Sequence, residues 1–171
     1  MNSNIFQKNC DLFSTKNSEL SKAIENASAS GNIALNANKE TIIFHHDQYL
    51  LQPQAPQAEA IARCNKIPNK DRYLEVIIVE GLTSLYFAAY LIKKIHTPII
   101  FYEPDLALLK QIAMNIDLSE IVSASNVHFA FDEEQLVSLI QLHHHHESAP
   151  EVYALPYYQK IFPESICIIS K

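Results

Sequence analysis

Between Leu74 and His146 the sequence switches three times from a short continuous apolar run to a helical pattern. "LEVIIVE" leads into "LTSLYFAAYLIKKIH", "TPIIFYE" into "PDLALLKQIAMNI", and "NVHFAF" into "DEEQLVSLIQLHHHH". Strands that are apolar at nearly every position are covered on both faces, as in a parallel sheet. Strand and helix alternating through short connections build right-handed crossovers. The chain is therefore predicted to be α/β, with a Rossmann-like, mostly parallel sheet of three to four strands and flanking helices. "DLSEIVS" adds a short turn of helix, and "SICIIS" near the end reads as the fourth strand.

What precedes this core has different periodicities. Phe6 to Ala27 reads as helix, with Ile5, Leu12, Phe13, Leu20 and Ile24 as its apolar positions. "TKNSEL" interrupts or restarts it, Asn17 or Ser18 being the cap and Glu19 falling in the following first turn. "ASASGN" is a breaker, and "NIALNA" and "TIIFHHDQYLL" then make a β-hairpin. "QPQAPQAEAIARCNKI" becomes helical from Pro56, a favourable first helical residue. At 171 residues and 48% apolar composition the chain suits one domain over 1–171, with 1–70 an appendage to a core over 71–171.

Glycine sets the strongest functional exclusion. The sequence holds only Gly31 and Gly81. A Walker A loop needs two glycines five apart, and a dinucleotide fingerprint three within six residues. Both phosphate cradles are excluded. Thirteen Lys and Arg against nineteen Asp and Glu give a net charge of −6, which disfavours a nucleic-acid backbone as partner. No apolar run reaches the length of a membrane span, and "MNSNIFQKNC" lacks the apolar core of a signal peptide. Cys10, Cys64 and Cys167 are far apart and odd in number, so they read as reduced, mostly buried thiols. A cytoplasmic location is the expectation.

Candidate binding residues gather where the strands end. "EGLTS" closes the first strand, placing Glu80, Gly81 and Thr83 at a strand-to-helix turn. There glycine permits either close approach of a ligand or a positive-φ turn, and Thr83 or Ser84 can cap the helix. Glu103 follows Gly81 by 22 positions, at the end of the second strand. Dinucleotide enzymes hold ribose hydroxyls with an acid at about this spacing, and methyltransferases use a comparable one. Glu103 is thus either a ribose ligand or the punctuation of a strand end. Asp105, after Pro104, reads as helix capping. Asp132 can cap the third helix or serve a ligand, with Glu133 and Glu134 in its first turn.

The histidines carry no assigned role. His143 to His146 end a helix, where neighbours point about 100° apart; only His143 and Glu147 make an i, i+4 pair. In "HHD" (His45 to Asp47), strand alternation separates adjacent side chains onto opposite faces. No metal site and no catalytic residue is assigned, since neither a GxSxG nor a nucleophile–base arrangement occurs. No cofactor is expected. Tyr153, Tyr157 and Tyr158 near the exit are expected to be exposed, where they either pack on another domain or subunit or cover the sheet edge locally.

The order of segments from about Ile42 to Glu164 resembles the N-terminal domain of bacterial motility accessory factors, proteins implicated in glycosylating flagellin with nonulosonic acids. "YLLQPQAPQAEA" is similar to the family's strand, proline and Glu-Ala helix start (Pro56, Glu59, Ala60). The most specific piece is "IIFYEPDLALLKQIAMNIDLSEIVSASNVHFAF"; "VIIVEGLTSLYFAAYL" and "YALPYYQKIFPE" flank it in family order. The resemblance implies a non-catalytic domain that supports a catalytic region or recruits flagellin. The family's sialyltransferase-like region, with its Gly-Pro-Ser motif, has no counterpart here, so the sequence ends at Lys171 before the part that the resemblance expects to do chemistry, whether or not the native chain continues. The competing expectation is a degenerate S-adenosylmethionine- or nucleotide-binding domain using Glu80, Gly81, Glu103 and Asp132.

Overall fold

The computed structural model describes residues 3–67, 75–82, 85–145 and 150–164. Helix α1 (Ser3–Lys16) and helix α2 (Ser18–Asn26) are separated by Asn17 alone. The interruption is chemical: Asn17 Oδ1 accepts the Glu19 and Leu20 N–H groups, which would otherwise lack partners at the start of α2. Three strands follow, β1 (Asn32–Leu35), β2 (Thr41–His45) and β3 (Gln48–Tyr49), paired as an antiparallel meander. The predicted hairpin is present, with a second reversal at His46 and Asp47 adding β3. Helix α3 (Pro56–Lys66) begins at the predicted proline.

The parallel core comprises β4 (Ile77–Glu80), β5 (Ile99–Tyr102), β6 (Val127–Ala130) and β7 (Glu151–Ala154). These are joined through α4 (Leu85–Lys94), α5 (Leu106–Asn115), the short α6 (Ser119–Val122) and α7 (Glu133–His143). After β7 comes α8 (Pro156–Ile161). The sheet order is β6-β5-β4-β7, all parallel, so the predicted fold class is the one observed. All of β4 and β5 is buried, which explains their unbroken apolar runs.

Among the described residues the fourth strand of the sheet is β7. It lies at Glu151–Ala154, whereas "SICIIS" falls outside the described residues. β7 occupies the sheet edge and is only half buried, so it carries no apolar run to betray it; prolines at 150 and 156 bracket it.

The sheet buries two unequal faces. Ile77, Val79, Ile99, Phe101, Val127 and Phe129 share a core with α1, α2, α3, α4 and α5, including Phe13, Leu20, Ile24, Cys64, Leu91 and Ile112. On α5, Leu108, Leu109, Ile112 and Ala113 are buried, whereas Leu106 and, just past the helix end, Ile116 are only partly covered. Ile78, Ile100, Tyr102 and Ala130 face the other way, where Leu136 of α7 covers them. Burial pushes the Cys10 thiol up to about 11 and the Cys64 thiol up to about 12, as inert buried cysteines should be; Cys167 lies outside the described residues. Among the described residues no helix is long and apolar enough to cross a membrane.

Asn17 also ties the N-terminal helices to the sheet, its Nδ2 donating to Phe129 O at 3.0 Å and Gln135 Oε1 at 2.8 Å. Replacing Asn17 with Ala removes a cap and two tertiary hydrogen bonds. A loss of ~2–3 kcal/mol is expected in urea unfolding. Ser18→Ala, at an exposed position outside the cap, should cost under ~0.5 kcal/mol. Equal costs for the two would contradict the assignment of Asn17 as the cap.

Candidate functional site

The strand order reverses between β4 and β7, because β5 and β6 extend to one side of β4 and β7 returns to the other. In open α/β sheets the crevice at the carboxyl ends of such strands is the usual place for a ligand. Here β4 ends at Gly81, whose φ of +97° takes the chain off the sheet while its N–H donates to Tyr102 O at 2.8 Å. Only glycine adopts such a φ without steric cost.

Glu103 joins the two strand ends. Its Oε2 accepts the Leu82 N–H at 2.9 Å, and its Oε1 the Asp105 N–H at 2.9 Å. The third donor is Tyr158, whose hydroxyl lies 2.9 and 3.2 Å from the two carboxylate oxygens. Tyr158 arrives from α8, immediately after β7, and its ring fills the crevice. A β-carbon added at Gly81 would come within 2.6 Å of three ring atoms of Tyr158. The space that a ribose would need beside Gly81 is therefore occupied by the protein's own side chain, and the acid that would bind the ribose is bonded to that side chain's hydroxyl.

Burial dominates the electrostatics. It pushes Glu103 up to about 8, with the nearby Asp105 charge adding to the rise; the Asp105 and Leu82 N–H groups and the Tyr158 hydroxyl oppose it. Next to it Asp105 Oδ1 accepts the Leu108 N–H at 3.0 Å and caps α5, as the sequence indicated. Its Oδ2 accepts the Tyr157 hydroxyl at 2.8 Å and lies 3.4 Å from His45 Nε2. Burial lowers the proton affinity of His45, against the pull of Asp105 and aided by His46, and raises that of the Tyr157 hydroxyl. The ligating atoms of His45, His46 and Asp105 all lie within 4.8 Å of one another.

Of the residues singled out in the sequence, Glu80, Gly81 and Glu103 meet at this edge. Glu80 is fully buried within β4, paired through its backbone with Tyr102 and Ala154. Thr83, with its neighbour Ser84, lies outside the described residues. Asp132 does not join the network: its Oδ1 accepts the Gln135 N–H at 2.8 Å as the cap of α7. It lines a separate groove with Lys16, Asn17, Glu19, His128 and Gln135. The histidine run divides, His143 packing on His128 with ring centroids 4.2 Å apart and His144 Nδ1 lying 3.3 Å from Glu75. His146 and Glu147, and so the i, i+4 pair, lie outside the described residues.

Compared with known proteins, the chain matches no family model and no curated protein. Among solved structures it is similar to the MAf glycosyltransferase from Magnetospirillum magneticum AMB-1, with a TM-score of 0.64 at 10% identity. That likeness covers 90% of this chain and 32% of the other, so the chain spans about a third of that protein's length. The likeness is one of fold.

The sequence names the groups that complete the edge but does not join them to Glu103 and Asp105. Tyr157 and Tyr158 are almost wholly buried rather than exposed, because their rings pack at the carboxyl edge of the sheet, the second of the two alternatives open for them; Tyr153 is only partly buried. A signal for Tyr158 was present: a lone glycine at the turn, without the further glycines of a phosphate loop, suits a bulky ring as well as a ligand. For His45 and His46 the alternation argument failed. His46 has a φ of +46° and belongs to a turn, and its ring centroid lies 4.0 Å from that of His45.

Proposed function

We propose that this chain is a non-catalytic, Rossmann-like domain of a motility-accessory, flagellin-glycosylation protein, which supports the catalytic region or recruits flagellin to it. The observation that carries the reading is the fold likeness to a MAf glycosyltransferase over 90% of this chain but only 32% of that one. It agrees with the ordered landmarks in the sequence, from the Pro56 helix start through "FYEPD" to the "YALPYY" exit. A cytoplasmic location belongs to the same proposal.

The filled crevice supports this reading over a degenerate nucleotide- or S-adenosylmethionine-binding domain. A cofactor at Gly81 would have to expel a buried tyrosine and break its bonds to Glu103. No thermal shift is therefore expected with S-adenosylmethionine, NAD or a nucleotide sugar at millimolar concentration. A rise of several degrees with any of them would favour the cofactor reading.

The direct test mixes the chain with flagellin and, separately, with the cognate catalytic region of a motility accessory factor. Binding to one of them is expected by calorimetry, with loss of flagellin glycosylation in cells whose protein lacks this domain. Binding to neither, together with full glycosylation without the domain, would sink the proposal.

A further inference from the structure

Strand β2 ends at His45, and the chain reverses through His46 and Asp47 into β3. Both turn residues are left-handed, with φ of +46° and +57°. A two-residue reversal of this kind is a type I′ hairpin turn, for which Asn-Gly is the favoured pair. Here two residues with full side chains take the positions, at a steric cost that glycine would avoid. The result is geometrical. Instead of pointing away from His45, as a strand neighbour would, His46 lies over the same spot, the two rings 4.0 Å apart and inclined by 40°.

From the opposite side Asp105 meets them at the start of α5. We propose that His45, His46 and Asp105 form a binding site for a divalent transition-metal ion of the zinc class. The 3.4 Å between His45 Nε2 and Asp105 Oδ2 is long for a hydrogen bond. It is close to the ~3.3 Å that separates two ligands bound at ~2.0–2.1 Å to one tetrahedral ion. The third donor, on His46, lies within 4.8 Å of the others, and His46 is exposed, so a small side-chain rotation closes the set. Two imidazole nitrogens and one carboxylate oxygen suit zinc and its first-row neighbours, whereas calcium and magnesium prefer oxygen throughout.

The support around the site fits the same role. Asp105 is fixed through both oxygens, Oδ1 by the Leu108 N–H and Oδ2 by the Tyr157 hydroxyl. A carboxylate oxygen has two lone pairs, so Oδ2 can keep the Tyr157 bond and still face an ion. Tyr157 then orients the ligand from outside the coordination sphere, as hydrogen-bonding partners of metal ligands commonly do. His46 on the surface leaves an entry path and an open fourth position. The inference does not depend on which partner the domain serves.

The test uses the full chain, stripped with a chelator and titrated with Co²⁺ by visible absorption and with Zn²⁺ against a chromophoric competitor. Because the histidine run at 143–146 is a rival site, a His145→Gln/His146→Gln variant is measured alongside. One equivalent of tetrahedral Co²⁺ is expected, unchanged in that double variant. Affinity for Zn²⁺ should fall at least tenfold in His46→Ala, whose side chain is exposed. It should fall similarly in Asp105→Asn, which keeps the Oδ1 cap of α5. Unaltered affinity in His46→Ala and Asp105→Asn, loss of binding in the double variant, or the absence of any tetrahedral Co²⁺ band would each overturn the proposal.

Discussion

Gly81→Ala is expected to be the most damaging single-methyl change among the described residues, costing ~2–5 kcal/mol in urea unfolding. Two costs combine. A φ of +97° is expensive for any residue with a β-carbon, on the order of 1–2 kcal/mol. The new methyl must also fit where the Tyr158 ring already lies, three ring atoms being within 2.6 Å of it. Overpacking of a rigid core typically costs 1–3 kcal/mol more. Tyr158 cannot swing aside cheaply, because it has no exposed surface and its hydroxyl is bonded to Glu103. Against a typical domain stability of about 5–15 kcal/mol, the combined loss is a large share of the whole.

A double-mutant cycle separates the two costs. Tyr158→Ala alone removes a buried ring and a donor to Glu103, and ~3–5 kcal/mol is expected. In the Gly81→Ala/Tyr158→Ala chain the clash has gone, so the total should fall short of the two single losses by ~1–3 kcal/mol. Strict additivity in urea unfolding would mean that the ring does not press on Gly81, and the account of a filled crevice would fail with it.

The same pair of residues illustrates what a sequence discloses and what it hides. Buried strands β4 and β5 were legible because burial on both faces demands apolar residues at successive positions, and "VIIV" and "IIFY" obey it. The capping residues Asn17, Asp105 and Asp132 were legible because their partners lie within three residues along the chain. β7 was hidden because an edge strand needs only one covered side. The site was hidden for a different reason: its bonds are long-range. Tyr158 meets Glu103 across 55 positions and Tyr157 meets Asp105 across 52, and local pattern encodes neither. His45 and His46 were misread because the period-2 rule holds only while φ remains extended, and a positive φ at His46 ends it. Glu103 was found by its spacing from Gly81, yet that spacing is equally served by a carboxylate bonded to its own protein.

The contribution of Glu103 to stability should fall as pH rises from about 4.5 to about 8, and Glu103→Gln should remove that part of the pH dependence. The carboxyl of Glu103 is held up to about 8 in the folded chain, chiefly by burial, against an ordinary value of 4.5 when exposed. Below about pH 4.5 both states carry the proton, and the group adds no pH dependence. Between those values the folded state binds more protons than the unfolded one, so the free energy of unfolding declines with pH. Above about 8 both states are ionised and the decline stops. At ~1.4 kcal/mol for each pH unit, the interval sets a ceiling on the order of 4–5 kcal/mol. The measurement is urea unfolding at pH 5, 6.5 and 8.5 in a chelating buffer, so that the histidine–aspartate cluster stays empty. Glutamine mimics the protonated acid in shape but must turn its amide nitrogen toward either the Leu82 or the Asp105 N–H, so its baseline should drop by ~1–3 kcal/mol. The decisive quantity is therefore the slope and not the height. Tyr158→Phe gives the opposite control: it removes a donor that favours the carboxylate, raising the Glu103 value further and carrying the decline past pH 8. A wild-type curve as flat as that of Glu103→Gln would mean that the backbone N–H groups outweigh burial, and that the carboxylate stands ionised in the crevice at neutral pH.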